Sequence, residues 1–162
     1  MKKVLLVRHA KSSWDNTVMK DIDRPLNERG LHDAPAMAKR LLDKGIEIDA
    51  FISSTAARAI STCTFFARAY GKEKDIITYR DLYNAPPQVF AKVIKNVSDT
   101  FNTIAVFAHN PGITDYANSL TNTRIDDMPT CGIFAVEAAT ENWKDFEKAL
   151  KKFWFFDYPK NG

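Results

Sequence analysis

Several kinds of residue are scarce in this chain, and each shortage excludes something. Only two cysteines occur, Cys63 and Cys131. They form no pair spaced for a metal ion and are too few for a disulfide scaffold, so a reducing cytoplasm is the expected setting. No apolar run is long enough to cross a membrane, and Val4 to Val7 is far too short for the apolar part of a signal peptide. Neither sign of charge dominates: 23 Lys and Arg stand against 20 Asp and Glu, a formal net charge of +3. That balance is too mild to argue for nucleic acid. The late lysines (Lys144, Lys148, Lys151, Lys152, Lys160) read as a solvated face rather than a patch for an acidic partner. Histidine is rare, with three in 162 residues. There is no internal repeat, linker or low-complexity segment.

What is present describes a folded protein. Hydrophobic residues make up 45% of the chain and charged residues 27%, and the length suits one domain, 1–162, with a real core. Short apolar runs bounded by polar residues read as strands at Val4–Val7, Ala50–Ser53, Ile76–Tyr79, Thr103–Ala108, Ile133–Val136 and Trp154–Phe156. The Thr103 run is the most apolar and is expected to be central, and the Trp154 run reads as a buried edge strand rather than a dimer surface.

Between the strands lie helical patterns. Asn27 caps the first, Leu31, Ala34, Ala38, Leu41 and Leu42 form its apolar stripe, and Gly45 stops it. Pro35 inside that run predicts a kink or a slipped start. Ser53-Ser54-Thr55 caps a second helix, with Ala59, Ile60, Cys63, Phe66, Ala67 and Tyr70 inward. Pro86-Pro87 opens a third, and a fourth carries Ile113, Ala117 and Leu120 inward. Phe146 to Leu150 reads as a helical turn. Alternating strands and helices imply a mainly parallel α/β sheet whose strand ends share one edge, where ligands bind.

Polar residues fall at that edge independently. Arg8-His9 follows the first strand, Arg58 the second, Asp81 the third and His109 the fourth. Burying Arg8 and His9 without partners would be costly, so an anion is expected there. Arg58 lies in the first turn of a helix, where a cation opposes the dipole. Two readings are open for it: a phosphate between Arg58 and the helix, or a side chain extended into water. Two arginines and two histidines meeting at one point repel unless an anion neutralises them, and a phosphoryl group suits the forked guanidinium. His32 lies on a helix and reads as a surface residue. Asp21 and Asp23 lack a preceding apolar strand and read as solvated loop carboxylates.

The chain resembles the histidine phosphatases, the superfamily that includes the cofactor-dependent phosphoglycerate mutases, and most resembles their small SixA-like phosphohistidine phosphatase branch. The motifs are Leu6-Val7-Arg8-His9-Ala10-Lys11-Ser12, Arg24-Pro25-Leu26, Ser53-Ser54 through Arg58-Ala59 and Thr62, and His109-Asn110-Pro111. The resemblance covers essentially the whole chain. It implies a three-layer α/β/α sandwich without a large cap insertion, His9 as a nucleophile forming a phosphohistidine, and Arg8, Arg58 and His109 on the phosphoryl group. It also implies no metal and no cofactor. The expected partner is a phosphorylated protein or small molecule, with no nucleic acid and no membrane. A catalytically idle phosphate-binding module is the alternative.

Larger relatives of the superfamily place a Glu near the end of the third strand, and the nearest match here is Asp81, one methylene shorter. Asp81 reads equally as a general acid or as an ordinary surface carboxylate. Lys11, Ser12, Trp14 and Arg24 are expected to rim the pocket. Solubility explains Lys11 and Ser12 equally well, whereas Trp14 either packs the loop down or stacks on a ligand. The stretch Cys63 to Arg68 superficially resembles a cysteine-phosphatase loop, but it is one residue short and Cys63 falls on an apolar helix face.

Overall fold

The computed structural model of this chain describes residues 1–15 and 19–162. Those residues form a mixed α/β fold with one six-stranded sheet and four α-helices. In chain order the elements are β1 (Lys2–Arg8), α1 (Glu28–Asp43), β2 (Ala50–Ser54), α2 (Ala57–Ala69), β3 (Ile77–Tyr79), α3 (Pro87–Lys95), β4 (Thr103–Ala108), α4 (Gly112–Leu120), β5 (Ile133–Ala138) and β6 (Lys151–Asp157). The sheet order is β3-β2-β4-β1-β5-β6, which puts β1 and β4 at its centre. Among the described residues no helix is long and apolar enough to cross a membrane.

Side chains alternate across a strand, so β1 feeds two cores. Val4 and Leu6 join Phe90, Ile94, Ile113 and Tyr116 from α3 and α4 on one face. Leu5 and Val7 join Ala34, Met37, Leu41, Cys63 and Phe66 from α1 and α2 on the other. Every residue of β4 is buried, as its unbroken apolar run requires. β3 is a short, mostly exposed edge strand.

β1, β2, β3 and β4 pair in parallel, while β5 pairs antiparallel with both β1 and β6. The reversal comes from the connection into β5. Residues 121–132 return the chain to the edge where β1 ends, and the Cys131 amide donates to the carbonyls of Arg8 and His9 at 3.0 Å each. Having arrived at that edge, the next strand can only run back down.

The helix readings need local correction. The Asn27 side chain accepts from the Gly30 amide at 2.9 Å, and Gly45 ends α1 in the left-handed region at φ +73°. The buried stripe is Gly30, Ala34, Met37, Ala38 and Leu41, whereas Leu31 and Leu42 are 51% and 44% exposed. Gly30 faces inward because the chain after His9 crosses there: a Cβ on it would stand 2.2 Å from the Lys11 carbonyl oxygen. α1 continues through Pro35, which lies in its interior rather than at its start. Pro35 is exposed, so water can take the carbonyl that its missing N–H leaves free. α2 begins after Ala56 with no side-chain cap, since Ser54 is engaged elsewhere. A 3₁₀ turn at Trp143–Asp145 precedes the stretch read as helical at Phe146–Leu150, and β6 extends beyond the expected Trp154–Phe156 at both ends.

Candidate active site

The carboxyl ends of β1, β2 and β4 bring three of the expected groups together. Arg8 is the last residue of β1 and His9 follows it. The His9 amide donates to the Ala108 carbonyl at 3.2 Å, one residue before His109. The two imidazoles lie with ring centroids 5.1 Å apart, tilted by 51°. Arg58, the second residue of α2, is buried together with His9 and His109. Thr62 locks the helix to the loop, accepting from the Ala10 amide at 2.9 Å and donating to the Arg58 carbonyl at 2.8 Å.

His9 is oriented by its own neighbour. Its Nδ1 lies 2.7 Å from the Ala10 carbonyl oxygen. A carbonyl only accepts, so Nδ1 carries the proton and Nε2 keeps its lone pair. Burial lowers the His9 pKa to about 4, and the charges of Arg58, Arg8 and Arg24 add to the effect. Desolvation is the largest single cause. The imidazole is neutral near pH 7.

His109 is fixed from the other side. Ser54 Oγ accepts from the Ala56 amide at 3.1 Å, and His109 Nε2 lies 2.7 Å from the same oxygen. With one lone pair used by that amide, the hydroxyl hydrogen is free for Nε2. In that assignment the proton of His109 sits on Nδ1, a buried atom with no hydrogen-bond partner in the structure. Burial, then His9, Arg58 and Arg8, lower the His109 pKa to about 3. Arg8 Nε and Arg58 Nε are also buried without partners. Three unmet polar nitrogens on residues that surround His9 call for an acceptor.

Asp21 requires a correction. It is not a free loop carboxylate: it sits in a 3₁₀ turn, Asp21–Asp23, and ties the site's cations together. Arg58 Nη1 donates to its carbonyl at 2.7 Å and Nη2 to its carboxylate at 3.1 Å. Arg24 Nε donates to the same carboxylate at 3.0 Å, and the Tyr83 hydroxyl also donates to it. The Tyr83 bond and the two arginines hold the Asp21 carboxyl down at about 2. The buried guanidinium in the first turn of α2 thus has a counter-charge, a third reading beside phosphate or water.

Arg24 is buried, donates to the Ser13 carbonyl at 3.2 Å, and lies 3.4 Å above the Trp14 ring. Trp14, 69% exposed, therefore packs its loop down through Arg24 with its outer face open. Ser12 is buried and bridges Leu26, while the Lys11 carbonyl accepts from the Asn27 amide at 2.9 Å. Asp81 is exposed on a 3₁₀ turn, Arg80–Leu82, and makes no side-chain hydrogen bond or ion pair among the described residues. The residue this turn brings to the site is Tyr83, whose ring meets His109 edge-on at 5.7 Å. Cys63 is buried, and desolvation raises its pKa, so the thiol stays protonated and unsuited to nucleophilic work.

Sequence reading missed Asp21, Tyr83 and Ser54 as parts of this cluster. One signal was available: a buried arginine at a helix start demands a nearby carboxylate. Arg8 has a further support, donating through Nη1 to the Met128 carbonyl at 2.8 Å. Asn110 donates to that carbonyl at 3.1 Å and to the Asp127 carboxylate at 2.8 Å, and Thr114 donates back to Asn110.

The fold and the site together define an α/β protein with a histidine-and-arginine cluster at the carboxyl edge of its sheet. This chain belongs to the histidine phosphatase superfamily (branch 1), which it matches over residues 4–85. An uncharacterized protein of Mycobacterium leprae is 30% identical over 166 residues, spanning 95% of this chain and 100% of the relative. The fold is similar to a candidate phosphohistidine phosphatase SixA from Agrobacterium tumefaciens, with a TM-score of 0.83, 26% identity and 98% of each chain covered. It is equally similar, at 19% identity and a TM-score of 0.83 over 98% of each chain, to the protein histidine phosphatase SixA complexed with tungstate.

Proposed function

We propose that this protein is a phosphohydrolase that removes a phosphoryl group through a phosphohistidine on His9. The observation that carries the reading is the state of that imidazole: neutral at pH 7, with Nδ1 tied to Ala10 and the Nε2 lone pair free. Binding alone would not require an oriented, uncharged nucleophile. A cationic imidazolium would hold an anion better.

In the first step Nε2 of His9 attacks phosphorus, a P–N bond forms, and the bond to the leaving group breaks. The leaving group departs with the electron pair. In the second step water attacks the same phosphorus, the P–N bond breaks, and its electrons return to Nε2 as inorganic phosphate forms. Arg8, Arg58 and His109 surround the equatorial oxygens as charge redistributes. Their unpartnered Nε and Nδ1 atoms support this, and two guanidinium groups with an imidazole donor meet the phosphoryl charge without a metal. Tungstate, the ligand of the SixA structure similar in fold, is a tetrahedral oxyanion of the kind such a cluster would hold. Bound phosphate would favour the protonated form of His109 and make it a stronger donor.

Asp81, exposed and without a side-chain partner among the described residues, is given no part in this scheme. A reaction without a strong general acid favours leaving groups that need little help, such as the imidazole of phosphohistidine or a phenol, over simple alkoxides. The substrate class is therefore protein phosphohistidine or a small, activated phosphate compound, in a cytoplasmic setting. Lys11, Ser12, Trp14 and Arg24 lie on the loop where such a substrate would approach. Helices on both faces of the sheet support reading residues 1–162 as one three-layer α/β/α domain. The single reversed strand, β5, supports a mainly parallel, phosphoglycerate mutase-like architecture without a large cap.

The test is hydrolysis of p-nitrophenyl phosphate by wild type and His9→Ala. Release of phosphate by wild type alone supports the enzyme. Phosphate binding without turnover in both would establish the idle phosphate-binding module instead.

A further inference from the structure

A cleft of about 280 Å³ opens beside His109. His109 and Tyr83 belong to both the cleft and the cluster described above, and Pro86, Pro87, Pro111 and Asp115 form the cleft's other walls. Its shape is fixed by the backbone. A Cβ on Gly112 would stand 1.8 Å from the Ala85 carbonyl oxygen, so the turn after β3 and the start of α4 are already in contact. Three prolines stiffen the walls. A site of this kind is formed before any ligand arrives.

The charge of the cleft is opposite to that of the cluster next to it. Around His9 stand the guanidinium groups of Arg8, Arg58 and Arg24. Apart from the neutral His109, the one ionisable acid or base carrying charge in the cleft lining is the carboxylate of Asp115. It is exposed, and its side chain has no hydrogen bond or ion pair among the described residues. Asn110, also in the lining, holds the Asp127 carboxylate at 2.8 Å, but that carboxylate lies outside the lining and faces Arg8, so the cleft's own charge is that of Asp115. A phosphate compound reaching His9 thus finds cations for its phosphoryl oxygens and, one ring away, a stiff slot with an acidic wall.

Resting on the reading of His9 as the phosphoryl acceptor, we propose that this cleft is the leaving-group subsite. In it Asp115 selects leaving groups that are cationic or carry an N–H over those bearing a carboxylate or a second phosphate. The imidazole of a phosphohistidine, with a second nitrogen able to carry a proton, fits that requirement. A bisphosphate or a phosphorylated carboxylic acid does not, because its second anion would face Asp115 with no cation in the cleft to answer it.

The probes are two matched aryl phosphates of similar leaving-group basicity, 4-(aminomethyl)phenyl phosphate and 4-(carboxymethyl)phenyl phosphate. The quantity read is the ratio of their kcat/KM values, which cancels any general change in the enzyme. Wild type prefers the cationic compound. A carboxylate several ångströms from the probe charge, in a largely solvated cleft, is worth roughly threefold for each sign, so Asp115→Asn lowers the ratio by roughly tenfold. Asp115→Lys carries it further and reverses the preference. A ratio that stays at the wild-type value in both variants overturns the subsite while leaving the phosphatase reading intact. Failure of wild type to hydrolyse either compound, or p-nitrophenyl phosphate, overturns both.

Discussion

Acidification is expected to unfold this protein earlier than its carboxylates alone would require. The cause lies in the two imidazoles at the sheet edge. His9 is held at about 4 and His109 at about 3, against an ordinary value of 6.5, with burial the largest cause in both. In the folded protein they stay neutral where the unfolded chain takes up a proton. The stability that this neutrality permits is intact above pH 6.5 and falls as the pH drops below it, until the folded values are reached. Each group costs roughly 1.4 kcal/mol per pH unit in that range. Together they remove roughly 3 kcal/mol per pH unit between about pH 6 and about pH 4.5, a large share of the ~5–15 kcal/mol that holds a domain folded. Asp21, held at about 2, acts in the opposite order. Its contribution is present above the ordinary carboxylate value and is lost only as the pH falls toward 2, below the window of the histidines. The assay is urea unfolding followed by far-UV circular dichroism at a series of pH values, for wild type and for His9→Gln/His109→Gln. Wild type loses stability steeply through the window and the double variant far less. Parallel pH profiles for the two proteins would refute the assignment of buried, neutral imidazoles.

Three further perturbations address the groups around His9. Ser54→Ala removes the hydroxyl that sets the His109 tautomer, and kcat is expected to fall roughly tenfold with little change in KM, the worth of about one hydrogen bond; Ser54→Thr restores it, and an unchanged kcat in Ser54→Ala would show that the tautomer needs no such partner. Asp21→Asn takes a negative charge from beside Arg58 and Arg24, so competitive inhibition by inorganic phosphate tightens several-fold; weaker inhibition would show that ordering of Arg58 by the carboxylate outweighs its charge. Asp81→Asn is expected to keep the wild-type ratio of aryl to alkyl phosphate hydrolysis, and a selective loss on the alkyl ester would restore Asp81 as a general acid.

Much of this arrangement is legible in the sequence because strands end abruptly. Leu6-Val7 running into Arg8-His9, and Phe107-Ala108 running into His109, each announce a buried strand with a polar terminus, and alternating helices put those termini on one edge. The parts that stay hidden depend on paths through loops. Asp21 meets Arg58 and Tyr83 because the 3₁₀ turn Asp21–Asp23 packs against α2, and no periodic pattern encodes that placement. Ser54 looks like a helix cap because serine before a helix usually is one; its hydroxyl is instead shared between the Ala56 amide and His109. The reversed direction of β5 follows from a connection that carries Met128 up to Arg8. Composition gives no sign of that path.

The central claim is that His9 itself carries the phosphoryl group during turnover. Its most direct test is a rapid quench into alkali of wild type turning over a radiolabelled aryl phosphate, followed by peptide mapping of the label. Transient label is expected on the peptide containing His9, lost when the same protein is held in acid and absent from His9→Ala. Steady phosphate release by wild type with no label on that peptide at any quench time would contradict it.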